Sequence, residues 1–182
     1  LVRGRLIMHL DADMLFINEL NFARIENELG QKGVALIKHP GYFRPLGIRK
    51  LAFYGFNFKY AAKDLKTYLQ FGGLGTWERN KDSKAFVPRN HRINYVCGGT
   101  WLGRRNEILK LCKELSERVD ADLAQGVVAI FHDESHLNWY QARNNFQLLD
   151  PDLCYDPTYP QLRNLKPKIQ AVDKNSYTNW IR

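Results

Sequence analysis

The sequence predicts an α/β domain, on three observations. Leu6–Leu10 and Val34–Ile37 are short apolar runs, of the length expected for strands buried on both faces of a sheet. From Asn106 to Asp120, residues Ile108, Leu111, Cys112, Leu115 and Val119 recur at helical spacing with charges opposite, as in a helix laid on such a sheet. Both runs end in polar residues suited to chemistry, Asp11-Ala12-Asp13 and His39-Pro40-Gly41-Tyr42. The carboxyl edge of strands is where open α/β sheets bind ligands.

Composition sets the bounds. The chain of 182 residues, 45% hydrophobic and 25% charged, is long enough for one domain with a core, taken to span 1–182. No apolar stretch approaches the ~20 residues of a membrane span, and no signal peptide opens the chain. It begins at Leu1 and runs almost directly into a strand, which suggests a fragment without its N-terminal part. Cys97, Cys112 and Cys154 are far apart with no CxxC pair, against a disulfide framework or a structural zinc and for a reducing compartment. The net charge of +8 asks for an anionic partner or marks a basic surface. Nucleic acid, a nucleotide-sugar diphosphate and an anionic membrane all qualify.

In order along the chain, Leu6–Leu10 is the first strand and delivers Asp11 and Asp13, one residue apart. On an extended chain these point to the same side and can share a divalent cation; a turn cap after a strand is the plainer alternative. Asn18 to Leu29 reads as a short helix or turn ending at Gly30. Val34–Ile37 is the second buried strand, with His39 at its carboxyl end. Residues 43–75 crowd Phe53, Tyr54, Phe56, Phe58, Tyr60, Tyr68 and Phe71 among basic residues. These could stack bases or sugars, or pack an inserted subdomain with a helix near 61–69. Gly72-Gly73-Leu74-Gly75 reads as a flexible joint. Ala85–Val87 and Ile93–Val96 are brief strands, the latter leading into Cys97-Gly98-Gly99, where paired glycines permit close approach of a ligand or form a bulge. Asn106 is a plausible N-cap for the following helix, and Cys112 joins its core face. Val127–Phe131 is a buried apolar segment before His132-Asp133-Glu134-Ser135-His136, which starts a helix through about Arg143. The dipole there favours an ionised Glu134. Gln147–Asp150 and residues near 168–174 are final extended pieces.

Two chemistries compete for these residues. His132 and His136 have the i, i+4 spacing of a zinc-binding helix, but no third ligand follows. The alternative joins both acidic clusters: a metal at Asp11 and Asp13 neutralises a departing diphosphate, and Glu134 stabilises positive charge on an anomeric carbon.

Six ordered motifs carry a resemblance that favours the second. They are Leu10-Asp11-Ala12-Asp13-Met14, His39-Pro40-Gly41-Tyr42, Thr76-Trp77-Glu78-Arg79, Tyr95-Val96-Cys97-Gly98-Gly99, His132-Asp133-Glu134-Ser135-His136-Leu137-Asn138 and Ala171-Val172-Asp173-Lys174-Asn175. The set resembles the family 6 glycosyltransferases, the family of ABO blood-group transferases and α-1,3-galactosyltransferases, in its microbial type. The resemblance covers most of the chain outside 43–75, which lengthens the path from His39 to Trp77 and reads as an insertion.

The resemblance implies a GT-A-type nucleotide-diphospho-sugar transferase fold, here truncated before its first Asp motif. It implies retaining transfer of N-acetylgalactosamine or galactose from UDP-GalNAc or UDP-Gal to an oligosaccharide acceptor, a galactoside, in α-1,3 linkage. By position, Asp11 and Asp13 would hold Mn²⁺ on the diphosphate and Lys174 would reach it. Asp133 would bind donor-sugar hydroxyls, and Glu134 would be the nucleophile or the stabiliser of the cation. Cys97, Gly98 and Gly99 align with the segment that selects the donor's C2 substituent, Gly99 leaving room for an N-acetyl group. His39, Thr76, Phe131 and Asp156 match acceptor-binding positions. A microbial member would be cytoplasmic, with peripheral membrane association open; an N-terminal anchor would place it in the Golgi membrane. The competing classes are a nucleic-acid-binding or metal-dependent nuclease domain and an inactive sugar-binding module.

Overall fold

Val34–Lys38 is the strand on which the core is built: Val34, Ala35, Leu36 and Ile37 are all buried. Side chains alternate across a strand, so this run feeds two cores at once. Ala35 and Ile37 pack with Ile25, Leu29, Leu102 and Leu153 on one face. Val34 and Leu36 pack with Ile108, Leu111, Leu137 and Phe146 on the other.

The computed structural model describes residues 4–45, 48–144 and 146–172. In chain order its elements are β1 (Leu6–Leu10), β2 (Met14–Phe16), α1 (Phe22–Glu28), β3 (Val34–Lys38), α2 (Ile48–Phe56), α3 (Phe58–Phe71), β4 (Val96–Arg104), α4 (Arg105–Leu123), α5 (His132–Asn144), β5 (Gln147–Leu149) and β6 (Ile169–Ala171). The main sheet is mixed, in the order β1-β4-β3-β5, and β2 pairs with β6 in a small second sheet. Strand β4 runs antiparallel to both β1 and β3, and β5 runs parallel to β3. The carboxyl ends of β1, β3 and β5 therefore meet the start of β4 at one edge of the sheet. Asp11, His39 and the Tyr95–Gly99 stretch arrive there together. The α/β expectation holds in this mixed form.

Several local expectations change. β1 is an edge strand with every residue half-buried, because only β4 pairs with it. Asp11 and Asp13 sit in a turn, closed by the Met14 N–H donating to Asp11 O at 3.1 Å, and not on extended chain. Ala85–Val87 forms no strand; it is buried because the Asp122 carboxylate accepts from Ser83 Oγ and Lys84 N–H, each at 2.6 Å. The strand expected at Ile93–Val96 starts only at Val96 and continues to Arg104, so Gly98 and Gly99 lie inside it. It runs straight into α4, which leaves Arg104, and not Asn106, at the cap position. Cys112 falls beside the Ile108–Leu111–Leu115 stripe and is exposed. Val127–Phe131 is a loop, with Val128, Ile130 and Phe131 exposed around a buried Ala129.

Within the stretch 43–75, α2 and α3 form a helical hairpin, anchored by a buried ion pair between Arg44 and Asp64. The Tyr54 hydroxyl also donates to Asp64, at 2.7 Å. The glycine joint is tightly packed instead of flexible. Gly75 has φ +145°, and a Cβ there would lie 2.4 Å from the Tyr95 ring.

Asn138 clamps helix α5 to β4. Asn138 accepts from Val96 N–H at 2.8 Å and donates to the carbonyls of Val96 and Glu134, both at 2.9 Å. Asn138→Ala strands these buried backbone groups, so it should cost about 2–4 kcal/mol. Urea titration should show a lowered midpoint at unchanged slope; an unmoved midpoint would contradict the clamp.

Candidate active site

Glu134, in the first turn of α5, points back at the start of β4. Its Oε2 accepts from the Gly98 N–H at 2.8 Å and its Oε1 from the Tyr95 hydroxyl at 2.7 Å. The approach depends on glycine, since a Cβ at Gly98 would stand 3.2 Å from Glu134 Cβ. Burial pushes the Glu134 carboxyl above its ordinary pKa. The two hydrogen bonds pull it back, while the charges of Asp133 and Asp11 push it further up. The expected dipole support for its ionised form is thus outweighed by desolvation.

Asp11 reaches the same strand one residue on. Its N–H donates to Gly99 O at 3.0 Å. A Cβ on Gly99 would meet Met14 Cε at 3.0 Å and Asp11 Oδ2 at 3.1 Å. Side chains alternate across a strand, so Glu134 and Asp11 approach these successive glycines from opposite sides of β4, and Asp11 still acts electrostatically on Glu134. The space beside Gly99 is filled by Met14 and Asp11. His9 supports Asp11 from behind, with Nε2 3.4 Å from its Oδ1 and its ring stacked on Trp101. The Val172 N–H donates to Asp13 O at 2.8 Å, which brings the end of β6 beside the turn. Lys174, two residues later, lies outside the described residues.

Among the described residues no three His, Cys, Asp or Glu side chains are grouped to hold a metal ion. Asp11 and Asp13 offer hard oxygen donors near the sheet's carboxyl edge, with Asp11 exposed and Asp13 half-buried. That donor set fits a divalent cation which completes its shell with water and phosphate oxygens.

The positions expected on the acceptor side assemble around two tyrosines. His39 packs against Tyr42 and Tyr95, with ring centroids 5.0 and 5.5 Å away. Burial pushes its pKa down to about 4 against the opposing charge of Asp156. The neutral ring accepts the Gly41 N–H at Nδ1, at 3.0 Å, so its proton sits on Nε2. Thr76 bonds the Tyr42 hydroxyl through its own, and Thr76 O lies 3.3 Å from the Tyr95 hydroxyl. Asp156 accepts from Thr158 N–H and Oγ at 2.9 and 2.7 Å.

Phe131 and Asp133 are exposed at the head of α5. The Cys97 side chain lies in the core, where contact with Cys154 and burial raise its thiol pKa. Only its backbone faces the strand end.

Sequence reasoning gave no role to Tyr95, Asn138, His9 or Glu78. Glu78 is a buried carboxylate that accepts from the N–H groups of Arg79, Asn80 and Ile130, each at 2.7 Å. It fixes the Thr76 loop to the Phe131 loop. A glutamate between Trp77 and Arg79, outside any helical pattern, was the available signal.

A cavity of about 660 Å³ opens beside Tyr42 and Tyr95, lined also by Lys38, Arg44 and Arg49. Neither this cavity nor a larger hollow of about 1020 Å³, along Phe16 to Leu20 and Lys166, is lined by Glu134 or Asp11. The smaller space reaches the site through Tyr42 and Tyr95, the hydroxyl partners of Thr76 and Glu134.

Comparison with known proteins supplies the context. The model of glycosyltransferase family 6 matches residues 68–182, a stretch that begins after Asp11, Asp13 and His39. The histo-blood group ABO system transferase 1 of Rattus norvegicus is 33% identical over 103 residues, 55% of this chain and 30% of that protein. The globoside alpha-1,3-N-acetylgalactosaminyltransferase 1 of Mus musculus is 31% identical over 111 residues, 58% of this chain and 30% of that protein. The Homo sapiens globoside enzyme of the same name is 29% identical over 101 residues, with 54% and 29% covered. The match thus spans less than a third of each relative.

The buried imidazole predicts a pH dependence. The unfolded chain binds a proton at His39 from about pH 6.5 downward, whereas the folded chain does so only near 4. The stability is complete above pH 6.5 and is lost as pH falls toward 4, by about 3 kcal/mol in all. His39→Asn should flatten that part of the curve in urea titrations between pH 4 and 7. An unchanged slope would contradict burial of a neutral His39.

Proposed function

Because the chain belongs to glycosyltransferase family 6, we propose that it takes part in moving N-acetylgalactosamine or galactose from a UDP-sugar to a galactoside-type acceptor. The linkage is α-1,3, with retained configuration, on a GT-A-type arrangement. The observation that carries this reading is the meeting of Asp11 and Glu134 at the start of β4, where the Asp11 N–H bonds Gly99 O, the Gly98 N–H bonds Glu134, and the Asp11 charge acts on the Glu134 carboxyl. A diphosphate bound through a cation at Asp11 and Asp13 would then place its sugar beside Glu134.

In this reading Asp11 and Asp13 would hold Mn²⁺, which would supply Lewis-acid stabilisation of the leaving diphosphate. Lys174 adds a positive charge to the same diphosphate, and Asp133 orients the donor's hydroxyls. Backbone of Cys97, Gly98 and Gly99 lines the sugar's C2 side. Tyr95 and the Gly98 N–H fix the Glu134 carboxylate, so it faces the anomeric carbon without reorganising. As the carbon–oxygen bond to UDP breaks, Glu134 shields the developing oxocarbenium ion or bonds to it. The acceptor hydroxyl then attacks from the face UDP leaves, and its proton passes to a departing phosphate oxygen. His39 donates from Nε2 to an acceptor oxygen, Thr76 and Asp156 bind neighbouring hydroxyls, and Phe131 offers an apolar face to the sugar ring. The room expected beside Gly99 for an N-acetyl group is taken by Met14 and Asp11, so the choice of N-acetylgalactosamine over galactose is supported only by the names of the two globoside relatives above.

Glu134→Gln should lower kcat for transfer at least about a thousandfold, with Mn²⁺–UDP affinity kept within about threefold. A donor-by-acceptor screen with UDP release as the signal checks this, and an active variant would remove Glu134 from the mechanism. Binding of both sugars without turnover in the native protein would replace the reading by a lectin-like one. Gly99→Ala should press on Asp11 and raise the Mn²⁺ concentration for half-maximal activity about tenfold. An unchanged metal requirement would detach Asp11 from the metal.

A further inference from the structure

Helix α3 is amphipathic the wrong way round for a core helix. Tyr60, Asp64, Thr67 and Phe71 form its inward, half-buried or buried side. Phe58, Leu65, Tyr68 and Leu69 form an apolar stripe that faces outward, all of them more than half exposed. The apolar exposure continues at the hairpin turn, where Phe56 is 88% and Phe58 72% exposed on either side of Asn57. A patch of this size is not spread by chance over a soluble surface.

The charges beside it are of one sign. Arg49, Lys50, Lys59, Lys63 and Lys66 are exposed on the two helices. Asp64, the hairpin's one carboxylate, is turned inward and held by Arg44 and Tyr54. On a helical projection Lys59, Lys63 and Lys66 flank the apolar stripe along one side. An exposed apolar stripe bordered by uncompensated cations is the composition of a helix that lies in the headgroup region of an anionic bilayer. Among the described residues no helix is long and apolar enough to cross a membrane, so the contact is at the surface.

We propose that the α2–α3 hairpin docks the protein on an anionic phospholipid surface. Phe56, Phe58, Leu65 and Leu69 enter the acyl boundary, and the lysines contact lipid phosphates. The ion pair of Arg44 with Asp64 keeps the hairpin's inner side fixed to the domain, so the outer side remains free for lipid. Neither feature depends on the sugar chemistry, and the proposal stands apart from that reading.

The test is co-sedimentation of the protein with phosphatidylcholine vesicles, with and without phosphatidylglycerol. Binding is expected to the anionic vesicles and to fall steeply with salt. Lys59→Glu/Lys63→Glu/Lys66→Glu should weaken partitioning roughly a hundredfold. Phe56→Ser/Phe58→Ser should weaken it at least tenfold, while the urea midpoint stays that of the native protein because both side chains are exposed. No binding to anionic vesicles, or equal binding to neutral ones, overturns the proposal. So does a dimer in light scattering that Leu65→Glu returns to monomer, since a second copy would then cover the stripe.

Discussion

A carboxylate pressed against a strand backbone governs the architecture around it. Glu134 leaves water to lie on β4, which raises its pKa, and it remains tolerable there because Gly98 N–H and Tyr95 O–H occupy its two oxygens. Each partner imposes its own requirement. A side chain at Gly98 would crowd Glu134, and Tyr95 needs the bare face of Gly75 to lie against. Asn138, one helical turn beyond Glu134, binds both polar groups of Val96 and so sets the distance between helix and strand. Charge, packing and backbone bonding thus converge on one contact.

The residues proposed for the acceptor side are tied to that contact through aromatic packing. Tyr95 meets Trp77 edge-on at 5.1 Å, and these two join Val87 and Trp139 in a third apolar cluster. The loops around this cluster have little regular structure, and buried polar groups hold them instead. Glu78 and Asp122 accept backbone N–H groups, and the Arg92 guanidinium donates to carbonyls of Phe71, Glu78 and Val87. Loops pinned in this way can present His39, Thr76 and Phe131 with small entropic loss on binding.

Much of this was legible in the sequence where the signal was periodic or chemical. The α4 stripe, the buried run at 34–37 and the acidic helix head all gave elements of the right kind, because apolar spacing reports burial directly. Strand boundaries near 93–104 were not legible, since Gly98 and Gly99 look like a terminus while the structure uses them for close approach inside a strand. Ala85–Val87 and Val127–Phe131 are apolar for different reasons, one tucked under Asp122 and the other left exposed. Composition alone cannot separate those cases. The turn at Asp11–Met14 and the roles of Tyr95 and Asn138 depend on partners far away in the chain, Val172 for Asp13, Glu134 for Tyr95 and Val96 for Asn138, which local patterns do not contain.

The claim at the centre is that Asp11 and Glu134 border one donor cleft. The most direct measurement is a crystal structure of the protein with Mn²⁺ and a non-transferable UDP-sugar. The account predicts the ion at Asp11 and Asp13, with the anomeric carbon about 3–3.5 Å from a Glu134 oxygen. A sugar bound away from Glu134, or a diphosphate that does not approach Asp11, would contradict it.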